Sequence, residues 1–261
     1  MPPPPKALLL TTAHSLHTTF TDFLTVAFHT ILYERALYPH RTFILTRAYN
    51  FPVRQNRHPK VCRWILDAVS AVQAQMLKNT VQRVVFVIYS KAAEVMERFV
   101  FDVERFPSVP EKEQWTELVR DGDAEGEERL RGVGVSAVDV EEQLRAAIRK
   151  LAYCGGKLGE LPEGCTYTVV VELKDGAEPP IGVRFAMCAV VTKHYTNGRL
   201  QHPQPWVPSE PSLQTGEKGD SKRIGSDLGG FQTVPIRAVE AGDFILETWI
   251  EEGKAKQINH T

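Results

Sequence analysis

The sequence is poor in the devices of catalysis and of covalent bracing. Its 261 residues hold four cysteines, Cys62, Cys154, Cys165 and Cys188, with no CxxC pair among them. That spacing excludes a disulfide framework or a cysteine-based zinc site and leaves the thiols as small buried hydrophobes. There is no GxSxG turn, no Walker loop and no HExxH, and the GxG of Gly132 and Gly134 lacks the spacing of a phosphate loop. Glu141 and Glu142 fall where a helix begins, so its dipole accounts for them better than acid–base chemistry does. A cysteine or serine hydrolase, for instance one pairing Cys165 with His194, is the reading of a different class, and no local signature supports it.

Long hydrophobic runs are missing too. Met1 to Lys6 is four prolines and a lysine, without the apolar centre of a secretion signal, and no later run would span a bilayer. A soluble, intracellular protein with no membrane partner is expected. A net charge of −1 denies the chain the basic excess of an autonomous DNA-binding module, so no sequence-specific DNA binding is expected and any role on DNA runs through partner proteins. Near neutrality hides a segregation, however. Residues 1–100 carry 12 Lys/Arg against 5 Asp/Glu, a net of +7, and the remainder carries 19 against 27, a net of −8. The imbalance either steers an acidic partner or draws the two halves of the chain together, the second reading being preferred.

What is present is enough for one substantial core, at 43% hydrophobic residues. Leu16, Phe20, Phe23, Leu24, Ala27, Phe28, Ile31 and Leu32 recur at helical spacing and predict a long core helix over 12–36, ended by Pro39. His14 and His17 on it read as a solvated or capping pair rather than metal ligands. A short strand is expected over 42–49. A second helix opens at His58-Pro59, with Val61, Ile65, Ala68, Val72 and Met76 as its buried stripe and Trp64 to one side. Strands over 82–90 and 95–104 form a hairpin, and Ser136 caps a third helix that buries Val140, Leu144, Ala147, Ile148 and Leu151 and stops at Gly155-Gly156. The run of β-branched and aromatic residues over 166–173 (TYTVVVEL) predicts a buried strand, and further strands are expected over 183–191, 231–239 and 244–251. Segregated elements in this order indicate an α+β fold, three helices packed on one side of a mostly antiparallel sheet. Residues 107–134 read as an acidic disordered insertion, and 209–230 as a disordered part of a long excursion before the last strands.

Several segments together resemble a known family. They are Ile31-Leu32-Tyr33 through Leu37-Tyr38-Pro39, Tyr49-Asn50-Phe51-Pro52-Val53, His58-Pro59, Val84 to Ile88 with Glu97 to Phe101, Gln143-Leu144-Arg145-Ala146, and Gly164 to Val169. In order and spacing they are similar to the HORMA-domain accessory subunits of translesion polymerase zeta, the B-type relatives of the mitotic checkpoint HORMA protein. The resemblance is fullest over 12–104 and 137–173; in the tail it rests on Pro205-Trp206, Val234-Pro235-Ile236 and Trp249 to Glu252. It implies a HORMA core over 12–173, a C-terminal seatbelt over 174–252, a disordered N-terminus over 1–11 and a tail over 253–261.

By that resemblance the protein is a non-enzymatic adaptor without cofactor or metal. Its belt folds over a peptide of the polymerase zeta catalytic subunit and re-pairs with the sheet, supporting replication past damaged DNA in the nucleus. The residues matching the family's peptide pocket are Trp64, Trp206 and Tyr38. Those matching its contact with the C-terminal domain of the Rev-one scaffold polymerase are Thr233, Glu247 and Trp249, where relatives commonly carry leucine, glutamine and tyrosine. Arg145 matches an arginine of a self-association face, implying a homodimer, and a hexameric AAA ATPase is the implied remodeller. A spindle-checkpoint or meiotic HORMA role is the alternative within the same class.

Overall fold

The structure is a computed structural model that describes residues 9–116, 135–177, 230–242, 244–253 and 256. In chain order its elements are β1 (Leu9–Leu10), α1 (Ala13–Glu34), β2 (Phe43–Ala48), β3 (Phe51–Asn56), α2 (Pro59–Met76), β4 (Val81–Tyr89), β5 (Val95–Asp102), β6 (Val135–Ser136), α3 (Ala137–Ala152), β7 (Thr166–Leu173), β8 (Gly230–Ala241) and β9 (Phe244–Gly253). The strand expected over 183–191, Trp206 and the excursion over 209–229 lie outside the described residues.

Thr12 starts α1 through a reciprocal cap. Its hydroxyl accepts the Ser15 N–H at 3.1 Å while the Ser15 hydroxyl accepts the Thr12 N–H at 3.3 Å, satisfying two donors that the first turn leaves unpaired. All eight of its expected core positions are buried. The helix ends at Glu34, before Pro39, because Ala36 turns to a φ of 50° and sends the chain away.

The single strand expected over 42–49 is half of a hairpin. Tyr49 and Asn50 both take positive φ (49° and 55°), the conformation of a two-residue type I′ turn, and β2 pairs antiparallel with β3 from Phe43↔Asn56 to Ala48↔Phe51. Pro52 reads in sequence as a strand breaker. In a two-stranded ribbon every strand is an edge, so its missing N–H costs no ladder bond. In α2 the buried stripe takes Val69 rather than Ala68, which is only half-buried.

β4, β5, β7, β8 and β9 form one antiparallel sheet in the order β7-β4-β5-β9-β8. Alternation along the strands gives it two faces. Val84, Phe86, Ile88, Phe99, Phe101, Leu246 and Ile250 join the three helices in one core, whereas Val85, Val87 and Val100 point the other way and form a small second cluster with Trp249. The α+β layering expected from sequence is therefore what the chain adopts.

Residues 107–116 depart from the expected disordered insertion, because side chains satisfy their backbone. The Asn79 amide donates to the Val109 carbonyl at 2.5 Å, the Gln114 amide donates to the Leu77 carbonyl, and Trp115 stacks on His14 with ring centroids 3.8 Å apart. His17 departs too. It is buried, its ring parallel to Phe106, and burial lowers its pKa to about 4. His29 is buried likewise, accepts the Asn56 N–H at Nδ1 (3.3 Å), and is lowered to about 4 by desolvation.

These two histidines make stability depend on pH. Their folded pKa lies below the unfolded value near 6.5, so their contribution is complete above pH 6.5 and is lost as pH falls toward 4. The expected loss is up to about 3 kcal/mol for each histidine across that window, read as a falling urea midpoint. Asp22 and Glu34, raised by burial, act in the opposite sense. His29→Gln keeps an acceptor for the Asn56 N–H and should remove about half of the histidine slope.

Candidate functional site

β7 is the last strand at one end of the sheet. It pairs with β4 from Val81↔Leu173 to Tyr89↔Thr166, and among the described residues no strand pairs with its other edge. Sequence predicts a buried strand here; instead Thr166 is exposed and residues 167–173 are half-buried, in keeping with a strand that pairs on one edge only among the described residues. Its one charge, Glu172, is engaged by Arg83 and Arg98; the run lacks proline and lysine and carries no bulge in its central stretch from Val84↔Val171 to Tyr89↔Thr166. Natural edges usually carry such protections against a further strand, so this edge is a template for one.

An aromatic wall stands beside it. Register places Tyr167 opposite Ile88 and Val169 opposite Phe86 on the helix-side face. The Tyr167 ring stacks on Phe86 at 5.2 Å and meets Trp64 of α2 edge to face at 5.0 Å, and its hydroxyl lies 3.0 Å from that of Tyr38. Burial first, and the Tyr38 hydrogen bond second, raise the Tyr167 phenol well above the usual tyrosine range, so its hydroxyl stays protonated. Trp64 remains 37% exposed. Two expected pocket residues, Trp64 and Tyr38, thus converge on β7, and Trp206 lies outside the described residues. Tyr167 itself was legible only as a strand residue; its part in the wall appears when α2 is laid across the sheet.

The opposite side of the sheet carries the chain's last strands. β9 pairs with β5 from Glu97↔Glu252 to Asp102↔Glu247, with β8 outside it. A buried ionic knot fixes the join. Arg35 donates through Nε and Nη2 to both Glu97 carboxylate oxygens (2.8 and 2.7 Å) and through Nη2 to the Gly159 carbonyl (2.7 Å). Lys256 bonds Glu97 as well and reaches Glu252 at 2.5 Å. Beside the knot, a cleft of about 570 Å³ is lined by Glu34, Leu37, Glu160 and Cys165 among others. Gly253 is part of the same join: a Cβ there would lie 1.9 Å from the Val95 carbonyl oxygen. Gly253→Ala should therefore part the end of the β5–β9 ladder at a cost of about 1–3 kcal/mol, visible as faster amide exchange at Val95 and Met96.

Thr233, Glu247 and Trp249 fall on one face, the side away from the helices. Thr233 pairs with Glu251, Pro235 with Trp249 and Ala238 with Glu247. Trp249 packs on the Val85, Val87 and Val100 cluster, donates its indole N–H to Glu251 at 2.9 Å, and lies under the Arg83 guanidinium at 5.7 Å. Arg98 joins Glu172 and Glu251 across it. Thr233 and Glu247 are exposed. The result is a rigidly held, half-buried indole in a charged frame. Arg145 lies elsewhere: its Nε donates to the Tyr49 carbonyl at 2.7 Å and ties α3 to the β2–β3 turn.

No reactive constellation accompanies these features. Cys165 donates to the Pro162 carbonyl at 3.2 Å and burial raises its pKa, the reverse of thiolate activation, while His194 lies outside the described residues. Among the described residues no three His, Cys, Asp or Glu side chains gather as metal ligands, and no helix is long and apolar enough to cross a membrane.

Three helices on one face of a five-stranded antiparallel sheet, with the terminal hairpin at one end of it, define the class of α+β fold, and comparison identifies the family. Residues 17–199 match the HORMA domain, and the chain belongs to that family. It is 35% identical over 156 residues to the zebrafish mitotic spindle assembly checkpoint protein MAD2B, a match spanning 60% of this chain and 64% of that protein; the human MAD2B is 33% identical over 158 residues, with the same coverage. The DNA polymerase zeta processivity subunit of Schizosaccharomyces pombe is 28% identical over 233 residues, 89% of this chain and 91% of that one. In fold the chain is similar to a crystal structure of the mitotic checkpoint complex (TM-score 0.59, 20% identity, 91% and 98% of the two chains) and to Caenorhabditis elegans HTP-2 bound to the HIM-3 closure motif (TM-score 0.54, 13% identity, 94% and 92%). The match spans less than two thirds of the MAD2B relatives' length. Membership of an adaptor family, with a relative named as a processivity subunit, marks the protein as non-catalytic.

Proposed function

We propose that this protein is an accessory adaptor of DNA polymerase zeta that holds a short extended peptide of the catalytic subunit along β7 and beneath its seatbelt. The observation that carries the reading is the β7 edge, unpaired among the described residues and walled by Trp64, Tyr38 and Tyr167. An added strand satisfies its own backbone on such an edge, and the aromatic wall takes its apolar side chains and prolines. Trp206, which lies outside the described residues, is proposed as a further pocket residue on the family resemblance alone. The S. pombe relative's name supports the polymerase context, and that context gives a nuclear protein acting in translesion synthesis.

Trp249, with Thr233 and Glu247, is the contact for the C-terminal domain of the Rev-one scaffold polymerase. A fixed indole that loses little freedom on binding suits a partner anchor. Release of the peptide needs the belt to unpair, so dissociation is slow unless a hexameric AAA ATPase remodels it. The part of the Arg145 guanidinium not engaged by Tyr49 supports self-association of α3 faces. The other reading, a spindle-checkpoint or meiotic adaptor, draws on the MAD2B name and on the HTP-2 fold likeness.

Affinity capture from cell extract treated with nuclease decides between them. Wild type should retain the polymerase catalytic subunit and Trp206→Ala should lose it. Recovery of a checkpoint or meiotic protein instead would favour the other reading, and equal recovery by both variants would remove the pocket from the account.

A further inference from the structure

The positive charge of the first hundred residues is gathered rather than spread. Residues 35–66 contain seven Lys/Arg and no Asp or Glu. Six of the seven, Arg41, Arg47, Arg54, Arg57, Lys60 and Arg63, are exposed. The direct ion pairs of the described residues lie elsewhere, on Arg35, Arg83, Arg98, Arg105 and Lys256; on this surface Arg54 feels the Glu34 carboxylate through space, without a direct ion pair.

The fold sets these six side by side. Register places Arg54 opposite Leu45 and Arg47 opposite Pro52 on one face of the β2–β3 hairpin. Arg57 donates to the Arg41 carbonyl at 3.0 Å, so the open end of the hairpin brings those two together, and Lys60 and Arg63 continue the surface into the first turns of α2. No acidic residue occupies that first turn, so the helix end adds potential of the same sign. Leu45, 61% exposed, sits among them. The Arg54 guanidinium lies over the Tyr33 ring at 5.2 Å, a contact that steadies it at the surface.

Such a surface repels itself unless something anionic meets it. We infer that the β2–β3 hairpin and the start of α2 form a docking surface for the phosphodiester backbone of nucleic acid. From Phe43 to Ala48 the strand covers about 17 Å at its usual rise, a length that spans about five phosphates along one strand of a duplex. The cations are strung along that length rather than converging on a point, which fits a chain of repeating charge better than a single phosphate or carboxylate. Five of the six are arginines, whose planar forks match phosphate oxygens. Contacts of this kind go to phosphate oxygens, which carry no sequence information, so binding is expected to be indifferent to sequence. It is also independent of the β7 site, and it would tether a polymerase assembly to DNA without replacing the polymerase's own grip.

Fluorescence anisotropy of labelled 20-nucleotide single strands and duplexes of two unrelated sequences, with the full chain and no peptide, tests this. Expected are micromolar binding at 50 mM salt, equal for the two sequences, and a log–log salt slope for single strands of about −4. R47E/R54E/R57E should weaken binding at least tenfold and flatten the slope, R47Q/R54Q/R57Q should fall between, and thermal melting should show both variants folded. R149E/K150E/K157E makes the same charge change on and after α3 and should lose less than threefold. No binding at 50 mM salt, or an equal loss in the α3 control, would overturn the inference. Capture of a poly-glutamate peptide as tightly as the oligonucleotide would overturn it in favour of an acidic protein.

Discussion

Trp64→Ala should weaken capture of the polymerase-derived peptide by roughly 30- to 1000-fold, about 2–4 kcal/mol, while leaving the fold nearly as stable as wild type. The two effects separate because of where the indole sits. It is 37% exposed on α2 and rests edge-on against Tyr167, so its removal opens no closed cavity in the core, yet it deletes one wall of the pocket. Tyr167→Ala would not discriminate, since that ring also stacks on Phe86 and packs against the main core. Tyr167→Phe is the useful companion: it keeps the ring and removes the hydroxyl that meets Tyr38, and should change affinity by less than tenfold. Isothermal titration with a synthetic peptide, alongside urea unfolding of each variant, measures both quantities. A large loss of stability with unchanged peptide affinity would make Trp64 an ordinary packing residue.

Glu97→Ala should be the most damaging single change away from the pocket. Glu97 is fully buried and its carboxylate receives Arg35 and Lys256 together. Removing it strands two buried cations, a loss of about 3–5 kcal/mol. In a chain of this size that corresponds to a melting temperature lower by roughly 10 °C. The damage should also be directional. Lys256 and Glu252 belong to the chain's end whereas Arg35 and Glu97 belong to the core, so the β5–β9 ladder should exchange its amides faster than β4 or α1. If the belt holds the peptide, the peptide off-rate should rise in parallel. Replacing the whole knot, as R35M/E97M/K256M, should recover much of the stability, because matched hydrophobes avoid the desolvation cost of the ions. Uniform destabilisation without faster loss of the hairpin would deny the knot its role as a fastening.

Much of the fold is written in local patterns. The eight-residue apolar face of α1, the proline opening α2 and the Ser136 cap of α3 each act over a few residues, and the structure follows them. The β2–β3 hairpin was not legible, because its turn depends on two non-glycine residues taking positive φ and its second strand carries a proline. The burial of β7 was misjudged for a different reason. A run of valines signals apolar surroundings but not whether both edges are paired, and edge pairing depends on which distant strands join the sheet. The ionic knot unites residues 35, 97, 252 and 256, a contact of such long range that no spacing rule reaches it. Trp64 and Tyr38 were nominated by resemblance; Tyr167 and the exposed basic surface came from geometry and charge.

The central claim is that β7 receives the partner's backbone while β8 and β9 remain at the other end of the sheet. Residue-resolved amide exchange with and without saturating peptide tests it most directly. The account predicts new protection at alternate residues of Thr166–Leu173, at least tenfold in rate, with the β5–β9 ladder no less protected than before. Unchanged exchange along β7, or protection confined to β8 and β9, would contradict it.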